Sequence, residues 1–215
     1  MEECYMCDQE ATTKEHVPPK CFFPKGHRAG LITVPSCAIH NNDNSMDVEY
    51  VRNILVQHHH VNQLAIDHAQ STATRSMIRR PQLARTTFAS LRPVLMSDGQ
   101  ETGVFQVDLE RLKRVMSAMA YALYFHVFGK QYRRCWNCFS NGLHSTGSLY
   151  GEVSEAFLQQ RKMFSSLTYC DLQMSQPDVF CCGLSGSDPS EYSTDLVFHF
   201  RFYDGFDAFV FTAPC

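Results

Sequence analysis

The chain has 215 residues, which allow one large domain or two small ones. Its apolar fraction of 44% suits a globular protein, and a formal net charge of -3 does not indicate a nucleic-acid binder, although phosphate contacts depend on local clusters. Because the sequence lacks an apolar run of about 18 residues, we expect no membrane span. The N-terminus has neither a basic start nor an apolar segment, so we expect no secretory signal and a cytoplasmic location.

The first elements are predicted to be short. Residues 30–35 form a β-prone run between a glycine and a proline, and a helix is predicted to start at Ser45, capped by Asn44 or by Ser45 itself. A second helical stretch is predicted for residues 60–79, with Pro81 ending it.

The clearest helix spans residues 108–129, where Asp108 can cap the start and Gly129 can end it. A shorter helix is predicted over residues 153–164. Asp204-Gly205 predicts a two-residue turn in a C-terminal hairpin. That register places three phenylalanines on one face with two from the next strand: Phe198, Phe200 and Phe202 with Phe209 and Phe211.

These patterns predict an α+β protein in two units. Residues 1–58 would form a small module held together by a bound metal ion, whose candidate ligands are described below. Residues 59–215 would form an α+β domain with a long core helix and an antiparallel hairpin. The role of the second unit in substrate, partner or oligomer contacts is not specified by any motif.

Ten cysteines raise the question of which of them bind metal. Without a secretory signal we expect a reducing compartment, where clustered cysteines indicate metal ligands or buried thiols. Cys4-Tyr-Met-Cys7 and Cys37-Ala-Ile-His40 form two knuckles thirty residues apart, and their four ligands suit tetrahedral zinc in a structural site.

A second pair, Cys135 and Cys138, also has ligand spacing. It has no obvious partner pair, although Cys181 with Cys182, or His144, could supply one. We therefore interpret Cys135 and Cys138 as ordinary thiols.

The segment between the knuckles reads Thr13-Lys-Glu15-His16-Val-Pro18-Pro19, and Asn41 directly follows the last knuckle ligand. With the paired knuckles, this order of an acidic-His pair, a proline and a late asparagine resembles the HNH endonuclease family. The resemblance covers about 50 residues and implies a ββα-metal unit of treble-clef type, in which the histidine ends the first strand and a helix opens after the second knuckle.

The resemblance also implies roles. His16 would be the general base that activates water, a task suited to a neutral imidazole. Glu15 and Asn41 would hold a catalytic Mg²⁺ or Mn²⁺, while Zn²⁺ at the knuckles would be structural because a four-ligand site is closed.

Three positions depart from the family pattern. The acid is Glu15 rather than the commoner aspartate, and the second knuckle ends in His40 rather than cysteine. A central asparagine is missing, and Thr33 is the nearest polar residue in the strand, which puts the rigidity of the loop in doubt more than the chemistry. Asn42 is an alternative ligand if the register shifts by one.

Candidate phosphate contacts come from two places. Lys20, Lys25 and Arg28 lie between the knuckles, where the first 30 residues carry four basic and five acidic side chains. Residues 68–97 contain no acid and form an arginine strip that includes Arg75, Arg79 and Arg80, together with Arg85 and Arg92. A solvated helical face paired with acids elsewhere would have the same composition.

The resemblance therefore implies a metal-dependent endonuclease, for which we favour DNA as the substrate. The sequence does not separate DNA from RNA, because this chemistry acts on the phosphate and does not read a 2′-hydroxyl. Stand-alone proteins with such a module resemble antiphage or restriction effectors, which implies a partner protein of a defence system. A homodimer is also expected, because one active site cuts one strand at a time. The alternatives are an RNA-directed nuclease and a zinc-binding subunit that contacts nucleic acid or protein without cleavage.

Overall fold

The computed structural model describes residues 2–42, 45–95, 99, 101–140, 155–186 and 195–214. Within these ranges the protein is a mixed α and β structure whose C-terminal part is an antiparallel sheet, as the sequence predicted. None of the helices in the described ranges has the length and apolarity needed to cross a bilayer.

The N-terminal part is a two-stranded hairpin followed by helices. Its elements are β1 (Thr13–Val17), a 3-10 turn (Lys20–Phe22), β2 (Ile32–Ser36), α1 (Ala38–Asn42) and α2 (Ser45–Leu55). The strands pair antiparallel with His16 opposite Thr33. The predicted strand and the helix start at Ser45 are confirmed, whereas Asn44 lies outside the described residues.

The next part is helical, with one small hairpin. Its elements are α3 (Gln63–His68), a π turn (Ala69–Ala73), α4 (Thr74–Arg79), α5 (Pro81–Thr87), β3 (Arg92–Leu95) and β4 (Glu101–Val104). The predicted stretch 60–79 is therefore helical from Gln63 onward, where the Asn62 side chain accepts from the amide of Ala65. Pro81 ends this stretch and occupies the first turn of α5, where its missing N–H is not needed.

Helix α6 (Leu109–Phe128) is the central helix of the protein. The carboxylate of Asp108 accepts from the amides of Glu110 and Arg111, and Gly129 ends the helix with a φ of 65° that favours glycine. Both predicted ends are confirmed. The buried residues of α6 belong to the main hydrophobic core, so the predicted role as a core helix is also confirmed.

The C-terminal sheet has the strand order β5-β9-β8-β7-β6, and each neighbouring pair is antiparallel. The strands are β5 (Cys135–Ser140), β6 (Cys170–Leu172), β7 (Phe180–Ser185), β8 (Val197–Phe202) and β9 (Phe206–Ala213). Helix α7 (Glu155–Ser165) covers one face, where the ring of Phe164 stacks on that of Phe209 at 5.1 Å. The predicted start of this helix at residue 153 lies outside the described residues.

The predicted register of the C-terminal hairpin is wrong by one residue. Three residues separate the paired Phe202 and Phe206, and Tyr203 and Asp204 both have positive φ. One extra loop residue moves every partner to the other face, so Phe198 pairs with Val210 rather than sharing a face with Phe209. Gly205 meets a different requirement: a Cβ there would lie 2.2 Å from the carbonyl oxygen of His60.

A single buried cluster runs through both predicted units and joins residues of the N-terminal module to α6 and the C-terminal sheet. At its edge, Asp47 on α2 accepts from Arg111 at 2.6 Å and pairs with Arg114 at 2.8 Å, both on α6. The guanidinium of Arg111 also lies 4.3 Å from the ring centre of Tyr50. The division at residue 58 stays a prediction.

Candidate metal centre and adjacent cavity

The two knuckles meet in one place. The Sγ atoms of Cys4, Cys7 and Cys37 each lie 3.4 Å from Nδ1 of His40, and the Sγ atoms of Cys7 and Cys37 are 3.9 Å apart. Bond lengths of about 2.3 Å to sulfur and about 2.0 Å to nitrogen around a tetrahedral ion give edges of roughly 3.5 Å and roughly 3.8 Å. The donor set and spacing therefore fit a metal ion such as zinc.

Local structure explains how the ligands converge. The amide of Tyr5 donates to the carbonyl of Pro35 at 2.8 Å, which holds the first knuckle against the end of β2. The second knuckle begins where β2 ends, and the first turn of α1 brings His40 back toward Cys37. Among the residues that the structure describes, these four form the one group suited to binding a metal.

A cavity of about 250 Å³ adjoins this cluster. It brings together Glu15, His16 and Asn41, the three residues for which the sequence suggested catalytic roles. Glu15 and His16 are consecutive in β1, whereas Asn41 comes from α1. The remaining lining residues are Tyr5, Val17, Pro19, Lys20, Cys21, His40, Ser45, Val48, Glu49, Val115, Ala118, Met119 and Ala122.

Burial sets the electrostatics of the cavity. It raises the pKa of Glu15 to about 7, because the charged carboxylate loses solvation. Burial also lowers the pKa of His16, and the nearby positive charge of Lys20 lowers it further. His16 is therefore a neutral imidazole at neutral pH, able to accept a proton.

The cavity contains oxygen donors of the kind that hard cations bind. Glu15 and Asn41 supply carboxylate and amide oxygens, the donors that Mg²⁺ and Mn²⁺ prefer. The cavity wall is shared with His40, so such a site would lie next to the cysteine cluster. The side chain of the alternative ligand Asn42 lies outside what the structure describes.

The central asparagine of the family pattern is missing from this chain, and a threonine lies near that position. Thr33 lies directly across the hairpin from His16, and cross-strand neighbours have their side chains on the same face. Thr33 is the polar residue nearest to the central family position in the sequence, and its side chain is exposed. The sequence alone could not fix this pairing, because it depends on the path that the loop of residues 18–31 takes between the two strands.

Several cavity residues were missed from the sequence. Glu49 in α2 and the face of α6 that includes Met119 carried no site signal, because helical periodicity predicts a buried face and does not tell core from cavity wall. Tyr5 lies between the first two metal ligands, and only its aromatic character could have drawn attention.

The basic residues predicted to contact phosphate differ in their surroundings. Lys20 lines the cavity, Lys25 is exposed, and the Nε of Arg28 donates to the carbonyl of Phe23 at 3.0 Å. On the arginine strip, Nε of Arg75 donates to the carbonyl of Ser71, and Arg79 is exposed on α4.

Arg80 connects the strip to the cavity. Its guanidinium lies 2.9 Å from the carboxylate of Glu49, which lines the cavity. The exposed Arg85 and Arg92 extend the strip away from this point along α5 and β3.

Cys135 and Cys138 do not form a second metal pair. They lie three residues apart on β5, which places their side chains on opposite faces of the strand. Cys135 is in a disulfide bond, so its interpretation as an ordinary thiol is wrong. Cys138 is a free thiol, and burial raises its pKa to about 12. Cys181 and Cys182 are free thiols on β7, and His144 lies outside the described residues.

Comparisons with known proteins add no relative: no family model, curated protein or solved structure matches this chain. The functional interpretation therefore rests on the metal cluster, the cavity and the N-terminal motifs.

Proposed function

We propose that the protein is a metal-dependent endonuclease of the HNH type that hydrolyses phosphodiester bonds of DNA. The observation that carries this proposal is the cavity beside the cysteine cluster, which is lined by Glu15, His16 and Asn41 together. Three residues with these roles in the family pattern come from β1 and α1, on either side of the second knuckle.

His16 acts as the general base in this proposal. Its imidazole is neutral at neutral pH because burial and Lys20 lower its pKa. It accepts a proton from a water molecule as that water attacks phosphorus, a contribution of typically about 10²- to 10⁴-fold in rate. The strand that carries it is paired with β2, where Thr33 lies opposite His16.

The two metal sites have different tasks. The cluster of Cys4, Cys7, Cys37 and His40 holds structural Zn²⁺ and fixes the hairpin against α1. Glu15 and Asn41 hold the catalytic cation through oxygen atoms. A bound Mg²⁺ or Mn²⁺ supplies Lewis-acid stabilisation of the charge that develops on the phosphate and the leaving oxygen.

Binding along the nucleic acid involves the basic residues outside the cavity. Lys20, which lines the cavity, would contact a phosphate near the scissile bond, and the arginine strip of α4 and α5 would follow the backbone from Arg80 outward. A partner protein of a defence system and a homodimer remain part of this proposal.

One cleavage experiment tests the proposal. Zinc-loaded protein is incubated with plasmid, single-stranded DNA and tRNA in Mg²⁺ or Mn²⁺, and we expect cuts in DNA. Cleavage of tRNA alone would instead show an RNA-directed nuclease. Binding without cleavage under every divalent ion would contradict the proposal and favour a zinc-binding subunit.

A further inference from the structure

Tyr5 brings an unpartnered hydroxyl to the cavity. The residue is 2% exposed and lines the cavity together with Glu15 and Asn41. Within the part of the chain that the structure describes, the hydroxyl makes no hydrogen bond, yet it is not among the side-chain atoms that are enclosed there without a partner. The hydroxyl therefore reaches open space, and the open space that Tyr5 lines is the cavity.

Other contacts fix the position of this side chain. The backbone amide of Tyr5 donates to the carbonyl of Pro35 at 2.8 Å, on the strand that pairs with β1. The ring centre of Tyr5 lies 6.5 Å from that of His40, the residue before Asn41 on α1. These contacts place the ring beside both elements that supply the candidate catalytic residues, and they do so without using the hydroxyl.

The hydroxyl is suited to donating a hydrogen bond to a ligand. A phenolic hydroxyl has an ordinary pKa of about 10, so it carries its proton at neutral pH. A buried polar group without an acceptor is costly, which favours a ligand that offers one. In the proposed function the oxygen atoms of Glu15 and Asn41 bind the cation, and the hydroxyl of Tyr5 is left to donate to the substrate.

The oxygen atoms of a phosphodiester are acceptors that match this donor. Hydrogen bonds to a charged oxygen are about twice as strong as those between neutral groups. Lys20 supplies a positive charge at the same cavity, and it lies close enough to His16 to lower the pKa of that imidazole. A phosphate next to His16 would therefore meet both a cation and the hydroxyl of Tyr5.

We propose that the hydroxyl of Tyr5 donates a hydrogen bond to a non-bridging oxygen of the scissile phosphate. Tyr5 is then a substrate-binding residue in addition to those that the family pattern suggests. This inference rests on the proposed function and adds one phosphate contact to it. A fixed donor of this kind stabilises the negative charge that builds up on the phosphate oxygens during attack, so it contributes to the rate as well as to binding.

Tyr5→Phe tests the contact, because it removes the hydroxyl and keeps the ring. Fluorescence anisotropy with labelled single-stranded and duplex DNA 20-mers is measured in the His16→Ala background, and kcat for DNA cleavage is measured in the wild-type background. We expect Tyr5→Phe to weaken DNA binding about tenfold and to lower kcat at least about tenfold. Tyr169→Phe is the matched control. The hydroxyl of Tyr169 lies outside the cavity and donates to the carbonyl of Phe164, so this variant should bind and cut normally.

Zinc content and thermal unfolding separate substrate binding from a structural role. Tyr5 lies between two candidate zinc ligands, Cys4 and Cys7. Tyr5→Phe is expected to keep the zinc content and melting temperature of the wild type. Loss of zinc or of folded structure in Tyr5→Phe would assign the hydroxyl to the stability of the metal centre and overturn the inference.

The inference and the nuclease assignment fail in different ways. Weaker DNA binding in Tyr5→Phe at normal zinc content, with no cleavage by the wild-type protein, would overturn the nuclease and support the phosphate contact. Cleavage by the wild type, with binding and kcat in Tyr5→Phe both within about twofold of it, would support the nuclease and overturn the role of Tyr5. A failure of His16→Ala protein to bind either 20-mer would also overturn the inference.

Discussion

Gln131 holds the first knuckle from outside the N-terminal module. Its Nε2 donates to the carbonyl of Cys4 at 2.7 Å and to that of Cys7 at 2.9 Å. Gln131 lies two residues after Gly129, which ends α6, so the central helix and the metal cluster are joined by one buried side chain. The candidate metal centre is therefore continuous with the main core, to which Cys4 and Cys37 belong.

Gln131→Leu is predicted to weaken zinc binding. The substitution keeps a similar volume but leaves two carbonyls of the first knuckle without their donor, and such outer contacts are typically worth about 10- to 100-fold in metal affinity. Chelator competition measures the change. The exposed Gln82→Leu on α5 is the control and should bind zinc like the wild type. An unchanged affinity in Gln131→Leu would contradict this role.

Cys37→Ser is predicted to abolish the metal centre. The wild-type chain should carry one zinc ion on the cluster, and loss of one thiolate should release it and lower the thermal stability of the N-terminal part. Metal analysis by mass spectrometry checks the stoichiometry. The exposed Cys181→Ser removes a thiol that is not in the cluster and should keep the zinc. Equal zinc content in both variants would show that the cluster is not the site.

Asp47→Ala is predicted to destabilise the packing of α2 on α6. Asp47 pairs with both Arg111 and Arg114, and its side chain and that of Arg111 are each 16% exposed. Hydrogen bonds to charged groups are worth about 1.5–3 kcal/mol, and we expect a loss in that range in urea unfolding. Asp67→Ala removes a carboxylate from an exposed helix surface and should cost less than about 0.5 kcal/mol. A loss this small in Asp47→Ala would contradict the coupling.

His68 is a buried neutral histidine. The hydroxyl of Tyr203 donates its one proton to the carbonyl of Phe22, so Nδ1 of His68, 2.7 Å from that hydroxyl, must donate to it. Nε2 has no hydrogen-bond partner within the described residues. Burial, together with the positive charges of Arg52 and Arg28, lowers the pKa of His68 to about 4.

This pKa makes folding weaker in acid. Between about pH 6.5 and about pH 4 the unfolded chain binds a proton at His68 that the folded protein does not, so stability falls as pH falls through this window. We expect His68 to account for a loss of about 2 kcal/mol between about pH 7.5 and about pH 5.

Urea unfolding of the wild type and of His68→Asn at both pH values measures this contribution. Asparagine keeps a donor near the position of Nδ1 but does not titrate, so its stability should fall less with acid. The same pH dependence in both proteins would show that His68 does not cause the loss.

The sequence was sufficient to predict the candidate metal-binding cluster and the long helix. Cys4, Cys7, Cys37 and His40 were recognisable because short ligand spacing forces two side chains toward one ion. The ends of α6 were recognisable because Asp108 and Gly129 are favoured cap residues. These features depend on local chemistry, which neighbouring residues specify.

The sequence was insufficient where distant segments meet. The prediction of the hairpin register was wrong because Asp204-Gly205 suggested a two-residue turn. The sequence did not reveal that Tyr203 also takes a positive φ and belongs to the loop. The α6 wall of the cavity could not be foreseen, because nothing in its periodicity distinguishes a side chain packed on β-strands from one that borders a cavity.

The rate of DNA cleavage by His16→Ala, with and without added imidazole, tests the central claim most directly. The account predicts a rate about 10²- to 10⁴-fold below that of the wild type, with normal zinc content and partial rescue when imidazole occupies the space of the missing side chain. His59→Ala, which removes an exposed histidine outside the cavity, should cut at the wild-type rate. Cleavage by His16→Ala within about twofold of the wild type would contradict the assignment of His16 as the general base.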